Sequence, residues 1–249
     1  MLEPALIEKV DVYWARHLGC APAQLHADEP VLLPHAAELA DYAGAYMMQF
    51  DRAAPVISLP PSQLTSLGPR LAVAARESLA ADGRWGEILG TLLDRIVGPA
   101  WVGYASSETL RHFTADVETR LLTPDDAAHV DRLGRACTAD DWENVVSLPR
   151  AGVAVGAFAE GGELAAIAGY EVWGESIAHV SVLTHPAHRG RVLGRAVVGA
   201  VAAVALERGL VPQYRSLMAN RASLAVAAAL RFEGYATSLA LRFTPSPAA

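Results

Sequence analysis

The sequence predicts a mixed α/β or α+β protein built on β-sheet, most legible in its C-terminal half. Three observations carry this. Short runs of apolar residues recur between glycine and proline turn signals, and amphipathic stretches of helical period lie among them. Near residue 190 a strand, a basic glycine loop and a long Ala/Val helix follow one another. With 52% hydrophobic and 19% charged residues, the 249-residue chain has enough apolar material for a full core, in one large domain or two modest ones, and global disorder is excluded.

Residues 1–19 read as an amphipathic helix, with Leu6, Val10, Tyr13, Trp14 and His17 near one face and Gly19 as the stop. Its charges, Glu3, Glu8, Asp11 and Arg16, break any signal-peptide core. The apolar runs Val31–Leu33, Tyr42–Phe50 and Pro55–Leu59 read as strands, and Pro60-Pro61-Ser62 ends the third. Arg70–Ala81 and Trp85–Asp94 read as helices and Ala100–Tyr104 as a further strand. The polar connection at 106–117 places a boundary there, giving an N-terminal α+β domain over 1–115 and a second domain over 116–249.

The second domain opens with a strand, Val117–Leu122, and a helix N-cap at Thr123 or Asp125, followed by two short helices to about Val146. Asp140, Asp141 and Glu143 fit a cap and first helical turn. Strands follow at Gly152–Ala159, Glu163–Trp173 and Ile177–Leu183, separated by Gly161-Gly162 and Gly174-Glu175. A helix from Leu193 to Arg208 closes at Gly209. A strand (Val211–Leu217), a helix (Ala222–Leu230) and a last strand (Ala236–Phe243) complete the chain.

The formal net charge of −7 argues against a nucleic-acid partner. Cys20 and Cys137 lie far apart and outside metal-ligand spacing, which fits reduced thiols and a cytoplasmic location. The Ala/Val run from Ala196 to Leu206 is too short to span a bilayer and is bracketed by Arg195, Glu207 and Arg208, so no membrane segment is expected.

The chemistry-bearing stretch runs from His179 to Arg195. It comprises a buried strand, a proline-broken turn, and a basic loop feeding a helix whose Leu193, Ala196, Val197, Ala200, Val201, Val204 and Ala205 form one stripe. A helix N-terminus offers unpaired N–H groups and the positive dipole end, and Arg189, Arg191 and Arg195 add charge. This suits a phosphate; a surface turn with solvated arginines is the plainer alternative. No Gly-Lys-Ser/Thr follows, and the spacing of Gly190, Gly194 and Gly199 does not fit G-x-G-x-x-G. His185 and His188 have H-x-x-H spacing, but Pro186 bends the segment and no third ligand follows, so no metal is expected.

Arg189-Gly190-Arg191-Val192-Leu193-Gly194 resembles the pyrophosphate loop of the GNAT superfamily of N-acetyltransferases, Gln/Arg-x-x-Gly-x-Gly/Ala, at its first and last fixed positions. Asn220 to Phe232 is similar to that family's second signature, an Asn opening a helix that ends in Leu-Gly-Phe. The likeness covers roughly residues 116–245. It implies a mixed, mostly antiparallel twisted sheet flanked by helices, with acetyl-CoA as co-substrate. By this resemblance Arg189, Gly190, Arg191, Val192, Leu193, Gly194 and Arg195 form the pyrophosphate loop. The strand end Val182, Leu183 and Thr184 would pair with the pantetheine arm, and Asn220 would lie near it. A neutral amine of a small molecule or peptide would attack the acetyl carbonyl directly, with a strand N–H stabilising the oxyanion.

Two positions depart from the pattern: Val192 stands for the first loop glycine and Arg231 for the Gly of Leu-Gly-Phe. If residue 192 needed a positive φ, valine would cost about 1–3 kcal/mol. If it needs only an N–H at negative φ, which is the preferred reading, little is lost.

The family's helix Tyr is replaced by Ala227, so Tyr214 and Ser216 are the substitute acids. His179, Ser181, Glu171 and Glu175 are base candidates, His179 favoured by the ordinary imidazole pKa, although a hydrogen-bonded core histidine is the plainer reading. Residues 1–115 carry no comparable motif; a degenerate GNAT-like half and an unrelated α+β cap both remain open. Exposed strand edges are compatible with a homodimer. A coenzyme-binding or regulatory module without turnover is the second functional reading, and a structural protein without a ligand the third.

Overall fold

The structure, a computed structural model, describes residues 2–113, 115–143 and 152–244. In chain order the elements are α1 (Pro4–Leu18), β1 (Val31–Pro34), β2 (Gly44–Phe50), β3 (Val56–Leu59), α2 (Leu64–Glu77), α3 (Trp85–Leu89) and β4 (Leu93–Tyr104). They continue with β5 (Glu118–Leu121), α4 (Ala127–Ala136), α5 (Ala139–Glu143), β6 (Val153–Phe158), β7 (Leu164–Trp173) and β8 (Ile177–Thr184). The last are α6 (Leu193–Glu207), β9 (Val211–Leu217), α7 (Arg221–Ala229) and β10 (Glu233–Phe243).

Most expected elements are present, and the differences have local causes. The helix expected to reach Asp94 stops at Leu89, because Gly90 takes a φ of 54° and turns the chain into β4. The strand expected from Tyr42 begins at Gly44, where a Cβ would stand 2.1 Å from the Leu241 carbonyl oxygen. The helix expected from Arg70 starts earlier, at Leu64, and carries Pro69 inside it. The expected continuation of α5 to Val146, and the side chains of Asp140 and Glu143, lie outside the described residues.

The chain divides into two compact units that are not consecutive in sequence. One comprises Pro4–Val102, Ser216–Asn220 and Gly234–Ala249. The final strand groups with this N-terminal segment, not with 116–233, because β10 pairs antiparallel with β2 from Ala236↔Phe50 to Arg242↔Gly44. The strand order in this unit is β1-β3-β2-β10-β4, with β1 and β3 parallel. Its core gathers Met47, Ile57, Leu71, Trp85, Leu239 and Leu241, all buried.

The other unit comprises Met1–Glu3, Gly103–Arg215 and Arg221–Glu233. Its strand order is β9-β8-β7-β6-β5: an antiparallel meander from β5 to β8, then a parallel step to β9 through α6. Leu133 of α4 packs with Phe158, Leu164, Ile167 and Leu183 on one face of this sheet. On α6 the expected stripe is buried at Leu193, Ala196, Val197, Val201 and Ala205, and Val198, Gly199 and Ala202 are buried too. That second line is covered where Gly199 approaches Leu230; a Cβ there would stand 3.0 Å from Leu230 Cδ2. The strand order of the first unit does not repeat this arrangement. There β3, the strand before α2, pairs with β1 and β2 and not with the strand that follows the helices. Among the described residues no helix is long and apolar enough to cross a membrane.

The entry to α4 is fixed by charge. Thr123 opens a single turn whose Asp126 carboxylate accepts from the Thr123 N–H at 2.8 Å and from both Nη atoms of Arg120 at 2.7 Å. The Arg120 guanidinium, then the Thr123 N–H, holds the Asp126 carboxyl well below the usual carboxylate range. A pKa depressed on folding stabilises the protein above the unfolded value of about 3.9, and that contribution is lost as the pH falls through the folded value. Asp126→Asn should therefore lower the melting temperature at pH 7, with the gap from wild type narrowing as thermal melts are taken below about pH 4. A gap independent of pH would contradict this.

Candidate functional site

The parallel ladder between β8 and β9 runs from Ile177↔Val211 to Val180↔Tyr214 and stops, although β8 continues to Thr184. Residues 181–184 keep their pairing to β7 but have no rung on the β9 side. The result is a notch in the sheet. Main-chain groups there have no strand partner on the β9 side, which leaves them able to pair with an extended polar ligand.

Beside the notch the chain passes through a single turn, Pro186–His188, into α6. Gly190 takes a φ of 76° with no atom within 4 Å of where a Cβ would be, so only the backbone conformation demands glycine there. Val192 is the N-cap of α6, at φ −72° and ψ −6°, and caps no amide with its side chain. Any residue adopts that φ, so the departure at 192 carries no backbone strain. The first-turn amides of Leu193, Gly194 and Arg195 have no acceptor within the helix. A Cβ on Gly194 would lie 3.5 Å from Thr184 Oγ1, an ordinary contact, which puts the strand end and the helix start side by side.

The three loop arginines are not equivalent. Arg189 pairs with Asp141 at 2.8 Å and donates to the Thr184 carbonyl oxygen at 3.3 Å, so it braces the loop. Asp141 also caps α5, accepting from the Thr138 N–H, and the arginine holds its carboxyl below the usual range. Arg191 is exposed, and Arg195 places its guanidinium 5.8 Å from the Phe113 ring centroid. Among the described residues neither has a carboxylate partner. His188 donates through Nε2 to Glu163 at 3.1 Å, and His185 Nδ1 accepts from the Ala187 N–H at 3.2 Å, so both histidines are committed to shaping the turn. Asn220 is exposed, with its N–H donating to the Leu217 carbonyl oxygen just before α7.

The register separates the acid and base candidates. His179 pairs with Glu171 on β7 and with Gln213 on β9, so these side chains share one face of the sheet. Ser181, buried, lies on that face as well. Tyr214 pairs with Val180 and projects from the opposite face, where its hydroxyl meets Ser223 Oγ at 2.9 Å and burial raises its pKa. His179 and Tyr214 therefore flank the last two rungs before the notch from opposite sides. Ser216 is buried and donates to the Leu217 carbonyl oxygen at 3.3 Å, and Glu175 is exposed in a turn.

Three residues around His179 escaped the sequence reading. Trp173 stacks on the imidazole at 3.9 Å between centroids and 15° between planes, and its Nε1–H donates to Glu171 at 3.3 Å. Gln213, fully buried, sends its amide N–H₂ to the Tyr104 hydroxyl at 2.6 Å. Its Oε1 then faces His179 Nδ1 at 2.9 Å and can only accept, so Nδ1 carries the proton and the lone pair is on Nε2. Burial, with the nearby charge of Arg215, pushes the His179 pKa down to about 4, so the ring is neutral at pH 7. No sequence signal pairs residues 104, 179 and 213; only strand register does.

Residues 118–239 match the sequence profile of the acetyltransferase (GNAT) family. No curated protein matches the chain significantly. Among solved structures, a GNAT-family acetyltransferase from Colwellia psychrerythraea aligns over 98% of both chains at 12% identity, with a TM-score of 0.52. A GNAT-family protein from Novosphingobium aromaticivorans is 24% identical over 61% of this chain and 67% of its own, with a TM-score of 0.47. The Salmonella typhimurium protein yncA, solved with acetyl-CoA, is 18% identical over 54% of this chain and 98% of its own, with a TM-score of 0.39.

Arg231, after α7, takes a φ of 62°. A non-glycine residue there costs about 1–2 kcal/mol, partly offset by the unfolded-state entropy that glycine would add. Arg231→Gly should raise stability by about 1 kcal/mol in urea unfolding, and Arg231→Ala should not. Equal behaviour of the two variants would show that φ is not the cause.

Proposed function

With residues 118–239 a domain of the GNAT acetyltransferase family, we propose that the protein transfers an acetyl group from acetyl-CoA to an amine of a small molecule or peptide. The observation that carries this is the termination of the β8–β9 ladder at Val180↔Tyr214 beside the uncapped start of α6. The notch offers main-chain partners from Ser181 to Thr184 to an amide-bearing arm. The α6 amides, Gly190 and Arg191 suit a diphosphate. The residues present fit the co-substrate: positive φ is confined to Gly190, and Val192 supplies an N–H at negative φ.

His179 orients the acceptor. Its Nε2 lone pair accepts a hydrogen bond from the incoming amine while Gln213 and Tyr104 fix the ring. The amine nitrogen forms the new N–C bond as the C–S bond breaks. The acylated nitrogen is far more acidic than a free ammonium, so a weak base suffices to take its proton. Tyr214, kept protonated by burial, is the proton donor for the departing thiolate on the other face. A cytoplasmic location belongs to the same reading and agrees with two free thiols.

Incubation with acetyl-CoA, a thiol reagent and a panel of amines tests the activity. Thiol release dependent on one amine class is expected; thermal stabilisation by acetyl-CoA with no release on any amine would instead leave a binding module. Gln213→Glu should raise the His179 pKa, because a carboxylate favours imidazolium, and so move the acid limb of the pH–rate profile to higher pH by about one unit or more. An unmoved limb would remove His179 from the reaction. Because Val192 carries no backbone strain, Val192→Gly should change acetyl-CoA affinity by well under about tenfold in calorimetry, and a larger gain would show that the valine impairs the loop.

A further inference from the structure

On the α4 face of the same unit lies a cavity of about 300 Å³, lined by His129 and Arg132 of α4, Gly161, Gly162 and Glu163 of the β6–β7 turn, and His185. The notch residues His179, Ser181 and Tyr214 do not line it. From its two charged walls we infer that this cavity binds a small zwitterion bearing one carboxylate and one ammonium group, the size of a free α-amino acid.

One wall is cationic. Arg132 bonds only to His129 Nδ1, at 2.9 Å, and has no carboxylate partner among the described residues. That bond makes Nδ1 the unprotonated nitrogen, so His129 does not discharge the guanidinium and leaves most of its donors for a ligand. A second charged side chain of the lining is anionic. Glu163 accepts from His188, stays 3.7 Å from His185, and keeps its side chain 57% exposed. The hydrogen bond from His188 also holds the Glu163 carboxyl below its ordinary range, so it remains ionised.

Arg132 and Glu163 line one cavity without forming an ion pair. A simple anion would meet Glu163 and a simple cation would meet Arg132, each at an electrostatic cost. A molecule with a carboxylate at one end and an ammonium at the other satisfies both walls. The volume is at the lower end for small-molecule sites, which limits the ligand to amino-acid size. Gly161 and Gly162, at φ 88° and 79° with nothing within 4 Å of either Cβ position, leave room for a ligand side chain. Because no notch residue lines the cavity, the ligand is not the acceptor of the proposed transfer.

Calorimetric titration of the full chain with the proteinogenic L-α-amino acids, without acetyl-CoA, tests this separately from the acyltransfer. At least one amino acid should bind with a Kd below about 1 mM, and propionate and methylamine should each bind at least about tenfold more weakly. Arg132→Gln and Glu163→Gln should each weaken binding about tenfold or more, and Arg132→Gln should leave the acetyl-CoA affinity of the ligand-free protein within about twofold of wild type. No amino acid binding with a Kd below about 1 mM would overturn the inference, as would unchanged affinity in either variant. Propionate or inorganic phosphate binding as tightly as the amino acid would also overturn it, leaving a plain anion site.

Discussion

A parallel ladder that ends after Val180↔Tyr214 governs what this protein can do. Had β8 and β9 stayed paired to their ends, the main-chain groups of 181–184 would be satisfied within the sheet and would have nothing to offer a ligand. Because the rungs stop, backbone donors and acceptors are held on a rigid strand, still braced on the other side by β7 through Ala166↔Thr184. The α6 start then lies beside the strand end, with Gly194 in contact range of Thr184. In the proposed reading, main-chain hydrogen bonding along the notch and anion capture at the helix start are neighbouring functions of one fold feature.

The charges around the loop divide between building it and serving it. Arg189, the first residue of the motif, spends its guanidinium on Asp141 and the Thr184 carbonyl oxygen, and His188 spends its ring on Glu163. These contacts tie the turn to α5 and to the β6–β7 hairpin, so it does not depend on a bound anion for its shape. Arg191 and the α6 amides are what remains for a ligand. The motif's first basic residue therefore preorganises the loop, which lowers the ordering cost of binding.

Buried polarity sets the chemistry on the other face. In the chain of Tyr104, Gln213 and His179 the Gln213 amide donates to the Tyr104 hydroxyl and accepts from His179 Nδ1, which fixes the imidazole tautomer. The same burial that fixes the ring lowers its pKa to about 4, trading basic strength for a neutral, oriented lone pair at physiological pH. A carboxylate at 213 would give a stronger base that is charged, and so unavailable, over more of the pH range. The Trp173 stack limits the ring's motion further.

Hydrophobic period and turn residues were enough to place nearly every strand and helix from 118 to 243, because β6, β7, β8 and α6 bury clear faces and Gly161-Gly162, Gly174, Pro186 and Gly209 punctuate them. They also located the Arg-Gly loop and the α6 helix, whose proposed role toward an anion rests on local chain direction and composition. The sequence could not say that β10 would leave its neighbours in the chain to pair with β2, nor that Val192 would take a negative φ while Arg231 takes a positive one. Those outcomes depend on long-range strand pairing and on the packing around each turn. The partnership of His179 with Gln213 and Tyr104, and the separation of His179 from Tyr214, depend on register, and a slip of one residue would exchange the faces. Local patterns determined what the elements are; only the pairing of distant strands decided which side chains meet.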